Sequence, residues 1–340
     1  MKAIAVAVAA VVLGIGTPAA AQAAKPELAK VRFVVGGKAG LFYLPLTATE
    51  RLGYFKDTGI DVEISDVASG ARALQSLIGG SADMGTGTFD HTIQMQAQNQ
   101  AVVGVVQYGN VPGFVMAMVA SKAAAYTTPL DLKGMKIGVT SPGSSTHFMA
   151  AYLLVRNGLK VSDAAFIGTG VTSTAVAAVR RGEIDAIVSS DPMISLMDAD
   201  GLVKIIFDTR TEAGTRAVYG GPFGGGIVYA TQAFVDGNPR TVAAIASAFV
   251  RALQWIATHS PEEIARLMPE DFALGNPALY LRALTAAKPG YSRDGRFVPG
   301  AVETAYAVLK QFDPAVAAAK VDLPKTHTDA FVDKALAAMK

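Results

Sequence analysis

The sequence of 340 residues contains no cysteine and only one tryptophan. Without cysteine the chain cannot form disulfides, use a thiol nucleophile or carry a lipid on a modified cysteine. Charged residues make up 17% of the chain, and 30 Lys and Arg nearly balance 28 Asp and Glu. No run of Lys or Arg interrupts this balance, so the sequence lacks the electrostatic pattern of a nucleic-acid-binding protein.

Metal and nucleotide motifs are also missing from the sequence. The four histidines show no metal-ligand spacing, and they stand at His91, His147, His259 and His327. The glycine-rich stretch GGPFGGG (220–226) is not placed between a strand and a helix, and no phosphate-loop lysine follows it. We therefore expect no metal, no cofactor and no nucleotide, and we interpret 220–226 as a flexible connection.

The first residues have the pattern of a secretory signal peptide. Lys2 precedes the apolar run AIAVAVAAVVLGI (3–15), and Ala21-Gln22-Ala23 fits a cleavage site with small residues. The apolar run is too short to span a bilayer. The sequence therefore predicts a signal peptide over 1–23, cleavage after Ala23, and a protein free in solution in a bacterial periplasm.

The whole chain is 51% hydrophobic, and its length is enough for two lobes. Strand-like and helix-like segments alternate up to about residue 231, which predicts α/β architecture with parallel sheets. From Asn238 onward the pattern is helical only. We expect lobe 1 to contain 24–113 and 227–340, lobe 2 to contain 114–226, and the chain to cross near 114–121 and 226–231.

Two segments share the order helix end, G-x-x-D and short strand. They are LIGGSADMGTG (77–87) and VRRGEIDAIVS (179–189). Gly80 and Gly182 suit the left-handed end of a helix, and Asp83 and Asp185 stand where a strand begins. This echo predicts similar βα units in the two lobes, with a cleft at the carboxyl ends of their strands.

The stretch TSPGSSTH (140–147) stands between the predicted strand KIGV and a predicted helix. Ser144 and His147 could form a nucleophile and its base, although the G-x-S-x-G order and a nearby carboxylate are missing. Ser144, Ser145 and Thr146 could instead cap the helix, or hold an anion at its positive end. On the residues alone, capping and ligand binding stay equally open.

Other candidate contacts follow predicted strands or open predicted helices. Ser69, Gly70 and Arg72 could hold the same anion from lobe 1, and Thr88 offers a further donor. Tyr43 and Phe114 could form an apolar wall for a ligand. Each of these residues also has a plain structural interpretation as a cap, a solvated side chain or core.

Asp191 follows the predicted strand IDAIVSS and precedes Pro192. A residue in this position is a natural N-cap of the next helix. The alternative is that its carboxylate receives a cationic or hydrogen-bond-donating group of the ligand, and a purely anionic ligand would avoid it.

Three segments together resemble a known family. FYLPLTATERLGYFKDTGIDVEI, SGARALQSLIGGSADMG and DLKGMKIGVTSPGSSTH are similar to the substrate-binding proteins of nitrate/sulfonate/taurine-type ABC importers, a group that includes binders of pyrimidine precursors. The resemblance covers roughly residues 31 to 260. It implies the type II periplasmic binding protein fold, with two lobes of mixed, mostly parallel sheets, a helical C-terminal extension and the ligand between the lobes.

The resemblance favours ligand binding for the stretch 140–147. It implies a monomeric, non-enzymatic protein that delivers a small organic anion, a sulfonate or carboxylate, to the transmembrane subunits of an ABC permease. The alternatives are a binder of a thiamine pyrimidine precursor, an enzyme acting on a bound heterocycle through Ser144 and His147, and a sensory partner. The expected ligand-binding residues are Tyr43, Ser69, Gly70, Arg72, Thr88, Phe114, Ser144, Ser145, Thr146, His147 and Asp191.

Overall fold

The structure, a computed structural model, describes residues 25–171 and 173–339. The predicted signal peptide and its cleavage site lie outside these residues. Within them the chain forms two five-stranded sheets surrounded by helices, which confirms the α/β class predicted from the alternating segments. The ten strands are β1 (Lys30–Val35), β2 (Asp61–Asp66), β3 (Met84–Thr88), β4 (Val102–Gln107), β5 (Phe114–Val119), β6 (Lys136–Val139), β7 (Ala165–Gly168), β8 (Ala186–Ser190), β9 (Val203–Asp208) and β10 (Gly226–Thr231).

Each sheet is mixed, with one strand opposed to the others. Sheet 1 has the order β2-β1-β3-β10-β4, and β10 runs antiparallel to both of its neighbours. Sheet 2 has the order β7-β6-β8-β5-β9, and there β5 is the antiparallel strand. In each sheet, the antiparallel strand is the first strand that the chain forms after it arrives from the other sheet.

Helices connect the parallel strands and form the whole C-terminal part. They are α1 (Leu44–Arg51), α2 (Tyr54–Asp57), α3 (Gly70–Ile78), α4 (Asp90–Ala97), α5 (Ala120–Ala123), α6 (Ser145–Arg156), α7 (Ser173–Arg180), α8 (Met193–Ala199), α9 (Glu212–Tyr219), α10 (Gln232–Gly237), α11 (Pro239–Thr258), α12 (Pro261–Leu267), α13 (Pro277–Ala287), α14 (Ala301–Phe312), α15 (Pro314–Ala318) and α16 (Ala330–Ala338). Short 3₁₀ turns lie at Leu41–Tyr43, Pro129–Leu132, Val161–Asp163, Glu270–Ala273, Lys288–Gly290 and Leu323–Lys325.

Two C-terminal helices matter for the core. α11 is long and apolar enough to cross a membrane, but it packs against α1 and α16 with most of its apolar residues buried, as a core helix does. α14 packs against α6, which follows a strand of sheet 2, and against α4, which follows a strand of sheet 1. One apolar cluster therefore contains residues from both sheet units, including Leu74, Met149 and Leu309.

The segments 77–87 and 179–189, which share a sequence pattern, also make the same hydrogen bonds where a strand begins. Asp83 accepts the backbone N–H of Arg32 at 2.8 Å, and Asp185 accepts the backbone N–H of Lys136 at 2.9 Å. In turn, the N–H of Asp83 donates to the carbonyl of Arg32, and the N–H of Asp185 donates to the carbonyl of Lys136, at 2.8 Å in both cases. Each carboxylate thus joins the start of its own strand to the neighbouring parallel strand.

The chain passes between the sheets in two segments, 108–113 and 209–225. The predicted crossings 114–121 and 226–231 correspond to β5 and β10, which are interior strands of the sheets. The two passages touch, because Gly225 donates to the carbonyl of Gly109 at 2.9 Å and Gly109 donates to that of Gly226 at 3.1 Å. The boundaries of the two lobes stay a prediction.

Candidate functional site

A cavity lies where the carboxyl ends of strands from both sheets face each other. We call it the head cavity; its empty volume, which includes space open to solvent, is about 340 Å³. Its lining comes from both sheet units, which is the position expected for ligands in α/β proteins. The lining residues are Gly36, Phe42, Tyr43, Gly70, Thr88, His91, Phe114, Thr140, Ser144, Ser145, Thr146, Val171 and Ser190.

The loop before α6 is held by a closed set of hydroxyl hydrogen bonds. The hydroxyls of Thr140, Ser144 and Thr146 lie 2.7 to 2.9 Å from one another, and Ser144 also donates to the carbonyl of Ser141 at 2.7 Å. Thr146 Oγ1 in addition accepts the N–H of Thr140 at 3.0 Å. These hydroxyls therefore order the loop, rather than standing free as the donors that the sequence suggested.

The free donors on this side are backbone groups. Ser144 is the N-cap of α6 but makes no side-chain cap bond, and the first intrahelical bond comes from Phe148 to the carbonyl of Ser144. The N–H groups of Ser145, Thr146 and His147 have no acceptor within the described chain. They point from the positive end of a twelve-residue helix, a position that favours an anion.

The N-terminus of α3 stands on the other side of the cavity. Ser69 caps it by accepting the N–H of Arg72 at 3.3 Å, while the N–H groups of Gly70 and Ala71 have no acceptor within residues 25–171 and 173–339. Ser69 Oγ lies 2.8 Å from Ser141 Oγ, which joins the two sides of the cavity. Gly36, which follows β1 on the same side as Ser69, lets α3 begin close to the end of that strand, because a Cβ there would lie 2.2 Å from the Ser69 backbone carbon.

Aromatic side chains close one flank of the head cavity. The ring of Phe42 stacks on that of Phe114 at 5.4 Å and meets that of Tyr43 edge-on at 4.7 Å. The Tyr43 hydroxyl has no hydrogen-bond partner among the described residues and would lie 3.6 Å from a Cβ added at Gly70. Burial raises the pKa of the Tyr43 hydroxyl above its usual value, so it stays a donor.

Asp90 and His91 begin α4 on the same side as Tyr43. Asp90 is buried and accepts a hydrogen bond from Ser145 Oγ at 2.7 Å, and burial raises the pKa of its carboxyl to about 7. No cation pairs with Asp90 in the part of the chain that the structure describes. Burial also lowers the pKa of His91 to about 4, and its Nδ1 has no partner within the described chain. At neutral pH the imidazole is therefore uncharged.

Asp191 lies outside the head cavity and already has partners. Its Oδ1 accepts the N–H and hydroxyl of Ser195 at 3.0 and 2.7 Å, and its Oδ2 accepts from Arg210 at 3.1 Å. The carboxylate thus satisfies the first turn of α8, as expected for a cap, although the N-cap position itself belongs to Pro192. Arg210 was missed in the sequence because it follows a strand that carried no motif.

The structure brings seven of the eleven predicted residues together. The lining contains Tyr43, Gly70, Thr88, Phe114, Ser144, Ser145 and Thr146. Four predicted residues lie elsewhere. Ser69 acts beneath the cavity as a cap, Asp191 lines the neighbouring cavity, and Arg72 bonds Gln75 at 3.2 Å on an open surface. His147 accepts the N–H of Gly143 at 3.1 Å and packs on Phe166 at 4.3 Å.

Six lining residues were not among the predicted contacts. They are Gly36, Phe42, His91, Thr140, Val171 and Ser190. Gly36, Thr140 and Ser190 each end or directly follow a strand, so the rule that sites gather at strand carboxyl ends could have found them. Among the described residues, no group of three His, Asp or Glu side chains could hold a metal ion.

Comparison with known proteins gives a family and a fold. The family profile described as NMT1/THI5 like matches residues 43–264. Among curated proteins, a putative binding protein of Bacillus subtilis, YtlA, is 22% identical over 259 residues, covering 74% of each chain. The 4-amino-5-hydroxymethyl-2-methylpyrimidine phosphate synthase of Aspergillus parasiticus is 24% identical over 238 residues, covering 67% of this chain and 66% of the synthase.

Solved structures agree over nearly the whole chain. A protein from Bordetella bronchiseptica RB50 is 43% identical with a TM-score of 0.90, covering 93% of this chain and 99% of its own. The alkanesulfonate-binding protein SsuA from Xanthomonas axonopodis pv. citri, bound to MOPS, is 19% identical with a TM-score of 0.70, covering 90% and 99%. The nitrate-binding protein NrtA of Synechocystis PCC 6803 is 14% identical with a TM-score of 0.68, covering 93% and 90%. The fold is that of the periplasmic binding proteins.

Proposed function

The chain belongs to the NMT1/THI5-like family, and we propose that it is a periplasmic solute-binding protein that delivers a small organic anion to an ABC importer. The proposed ligand is a sulfonate or a carboxylate. The protein binds the anion without changing it chemically and presents it to the transmembrane subunits of a permease.

One observation supports the proposal that the ligand is an anion. The free N–H groups at the N-termini of α3 and α6 line or border one cavity, and they come from the units of the two sheets. Two helix dipoles with unpaired N–H groups favour a negative group between them, each by about 0.3–1 kcal/mol and by more where water is excluded. Asp90 repels a bound anion less than a full negative charge would, since its pKa of about 7 leaves it partly protonated at neutral pH.

The relatives support the same class of function. Solved structures with this fold carry names of sulfonate-binding and nitrate-binding periplasmic proteins. Sulfonate, carboxylate and nitrate share the oxygen acceptors that helix N-termini bind. A cavity with an aromatic flank suits an anion with a carbon body better than bare nitrate, because Phe42 and Phe114 offer apolar surface.

Contacts across the cleft explain how binding could be signalled. Besides the Ser69–Ser141 bond, Leu41 donates to the carbonyl of Asp191 at 2.8 Å, and Ser145 donates to Asp90. A ligand bound by both helix N-termini adds to these contacts only when the two sides are together. Binding therefore shifts the population toward the closed form, which a permease can recognise.

Enzymatic action through Ser144 and His147 has little support in the geometry. The Ser144 hydroxyl bonds Thr140, Thr146 and Ser141, and His147 Nδ1 accepts a backbone N–H. The pair thus lacks the hydrogen bond that activates a nucleophile. Fungal relatives are nevertheless named pyrimidine phosphate synthases, and buried, neutral His91 in the cavity keeps a heterocyclic pyrimidine ligand as the second candidate.

Isothermal titration tests the proposal with sulfonates, carboxylates, nitrate and hydroxymethylpyrimidine on the purified protein. We expect an organic anion to bind with micromolar or better affinity and to be recovered unchanged after long incubation. Tight binding of the pyrimidine and none of the anions would overturn the proposal. A chemically altered product would replace the transport function with an enzymatic one.

A further inference from the structure

A second cavity adjoins the head cavity, and we propose that it takes the apolar tail of the same ligand and rejects a second negative charge. This inference rests on the proposed function, and it narrows the ligand to monoanions with an extended uncharged tail. We call this second space the tail cavity; its empty volume, which includes space open to solvent, is about 440 Å³. It is lined by Leu41, Phe42, Gly109, Val111, Pro112, Gly113, Ser190, Asp191, Arg210, Ala287, Gly290 and Tyr291.

The lining is apolar apart from one charged cluster and the hydroxyls of Ser190 and Tyr291. Eight lining residues have no polar side-chain atom. Three of them are glycines, and the other five are Leu41, Phe42, Val111, Pro112 and Ala287. The Tyr291 hydroxyl is already used, since it donates to the carbonyl of Leu41 at 2.6 Å. Such a surface gains by removing hydrocarbon from water and offers little to a hydrated group.

The charged cluster carries a net negative charge. Arg210 donates to Asp191 at 3.1 Å and to Asp208 at distances of 2.6 to 3.1 Å, so one guanidinium serves two carboxylates. Asp191 is buried, and its second oxygen is occupied by Ser195. A carboxylate or sulfonate on the tail would meet this negative cluster, and among the described residues that line the tail cavity no further Lys or Arg could pair with it.

Phe42 and Ser190 line both cavities, so the two spaces meet at these residues. Phe42 is half-buried, and its ring stacks on Phe114 and contacts Tyr108 at 5.9 Å. No described residue bonds the Ser190 hydroxyl, which leaves it to a polar atom of the ligand. An anionic head on the helix N-termini therefore places its carbon chain along Phe42 and into the tail cavity.

Titration with matched anions tests this division. The probes are methanesulfonate, hexanesulfonate and hexanedisulfonate, together with acetate, hexanoate and adipate. We expect the hexyl monoanion to bind at least tenfold more tightly than its one- or two-carbon counterpart, because its added carbons enter the tail cavity. The matching dianion should bind at least tenfold more weakly than the hexyl monoanion.

A substitution that fills the tail cavity supplies the second arm. Ala287→Leu places three more carbons in the tail cavity, while Ala286→Leu is the matched control, because Ala286 is its exposed neighbour and does not line that cavity. We expect Ala287→Leu to lose the preference for the hexyl monoanion and to keep its affinity for the short one. Ala286→Leu should bind both as the parent does.

The outcomes separate this inference from the proposed function. Equal affinities of short and long monoanions for the parent, or an unchanged preference in Ala287→Leu, would overturn the tail cavity and leave the anion-binding function standing. Tight binding of a dianion would overturn the exclusion of a second charge. Failure of all six anions to bind would contradict the proposed function itself, and the inference with it.

Discussion

The two sides of the head cavity use their polar groups in opposite ways. On the α6 side, the hydroxyls of Thr140, Ser144 and Thr146 satisfy one another, and the backbone supplies the free donors. On the α3 and α4 side, the Tyr43 hydroxyl and His91 Nδ1 have no partner among the described residues. Both sides offer helix N-termini. The second also offers the unpaired Tyr43 hydroxyl and His91 Nδ1, whereas the first offers the Ser190 hydroxyl, which no described residue bonds.

This difference indicates that one side of the cavity supplies binding affinity and the other supplies selectivity between ligands. A rigid loop that presents backbone N–H groups binds many anions alike, because it reads charge and oxygen geometry. Unpaired buried groups are costly unless a ligand satisfies them, so they discriminate between ligands that can and cannot do so. We therefore expect the α6 side to supply affinity and the Tyr43 side to supply specificity.

Gly36→Ala should have the largest effect, because it displaces the start of α3, whose N–H groups border the head cavity. The added Cβ would lie 2.2 Å from the Ser69 carbonyl carbon and 2.3 Å from the Gly70 nitrogen, so the start of α3 must move. We expect affinity for the best anion to fall at least a hundredfold, about 2.7 kcal/mol, in isothermal titration. Overpacking should also lower the free energy of unfolding by about 1–3 kcal/mol.

Gly237→Ala is the control, because nothing lies within 4 Å of a Cβ added there. It should leave affinity unchanged and leave stability equal or slightly higher, because Gly237 lies in a helix, where alanine is favoured over glycine. If Gly36→Ala binds the anion as the parent does, the N-terminus of α3 does not contribute to the site.

Asp90→Asn tests the α3 and α4 side of the head cavity through the pH dependence of the free energy of unfolding. The pKa of Asp90 rises from 3.8 in the unfolded chain to about 7 in the fold, so the folded form holds the proton more tightly. The stability that this proton contributes is complete below about pH 4 and is lost as pH rises through about 7. The parent should lose about 2–3 kcal/mol of unfolding free energy between pH 5 and pH 8 that Asp90→Asn does not lose.

Denaturant unfolding at the two pH values measures this difference, with the exposed Asp61→Asn as the matched control. His91 titrates in both proteins and cancels in the comparison. Identical pH dependence in the parent and Asp90→Asn would show that the carboxyl is not held in a poorly solvated place. Anion affinity at pH 8 should rise in Asp90→Asn, because the negative charge near α6 is gone.

The fold could be predicted from local patterns, because each strand and helix carries its own signal. The βα rhythm, the helical C-terminal part and the G-x-x-D corners depend on residues close in sequence, and Asp83 and Asp185 make equivalent bonds. The positions of Tyr43, Gly70 and Thr146 followed from the rule that strands end, and helices begin, at the cleft.

What could not be predicted depends on partners far along the chain. Asp191 is paired with Arg210, nineteen residues later, and no residue near Asp191 in the sequence indicates this pairing. Whether Ser144 and Thr146 face a ligand or one another depends on Thr140, which directly follows β6 and does not belong to the helix. The direction in which Arg72 points likewise follows from its contact with Gln75 on the outer face of α3.

The double variant Ser144→Ala with Thr146→Ala tests whether the α6 side acts through its backbone. Because these hydroxyls order the loop, their loss should weaken anion binding about tenfold and lower the free energy of unfolding by about 1–3 kcal/mol together. Titration and denaturant unfolding measure the two effects, with exposed Ser81→Ala and Thr285→Ala as the control pair. Weaker binding at unchanged stability would instead mean that the hydroxyls contact the ligand directly.

Tyr43→Phe should have the smallest effect, and it isolates one unpaired group on the selective side. Tyr43 is a buried residue that lines the cavity, and its hydroxyl has no partner within the described chain, so removal of the hydroxyl costs the folded protein no internal hydrogen bond. Burial raises its pKa, so at neutral pH it can donate to an anion but not repel one. We expect affinity to fall three- to tenfold, about 0.6–1.4 kcal/mol, with the free energy of unfolding equal to or slightly above that of the parent. Tyr280→Phe is the matched control, since Tyr280 is also buried but packs among α12 and α13, away from the cavity. If Tyr43→Phe binds every anion as tightly as the parent and ranks them in the same order, specificity does not lie on this side.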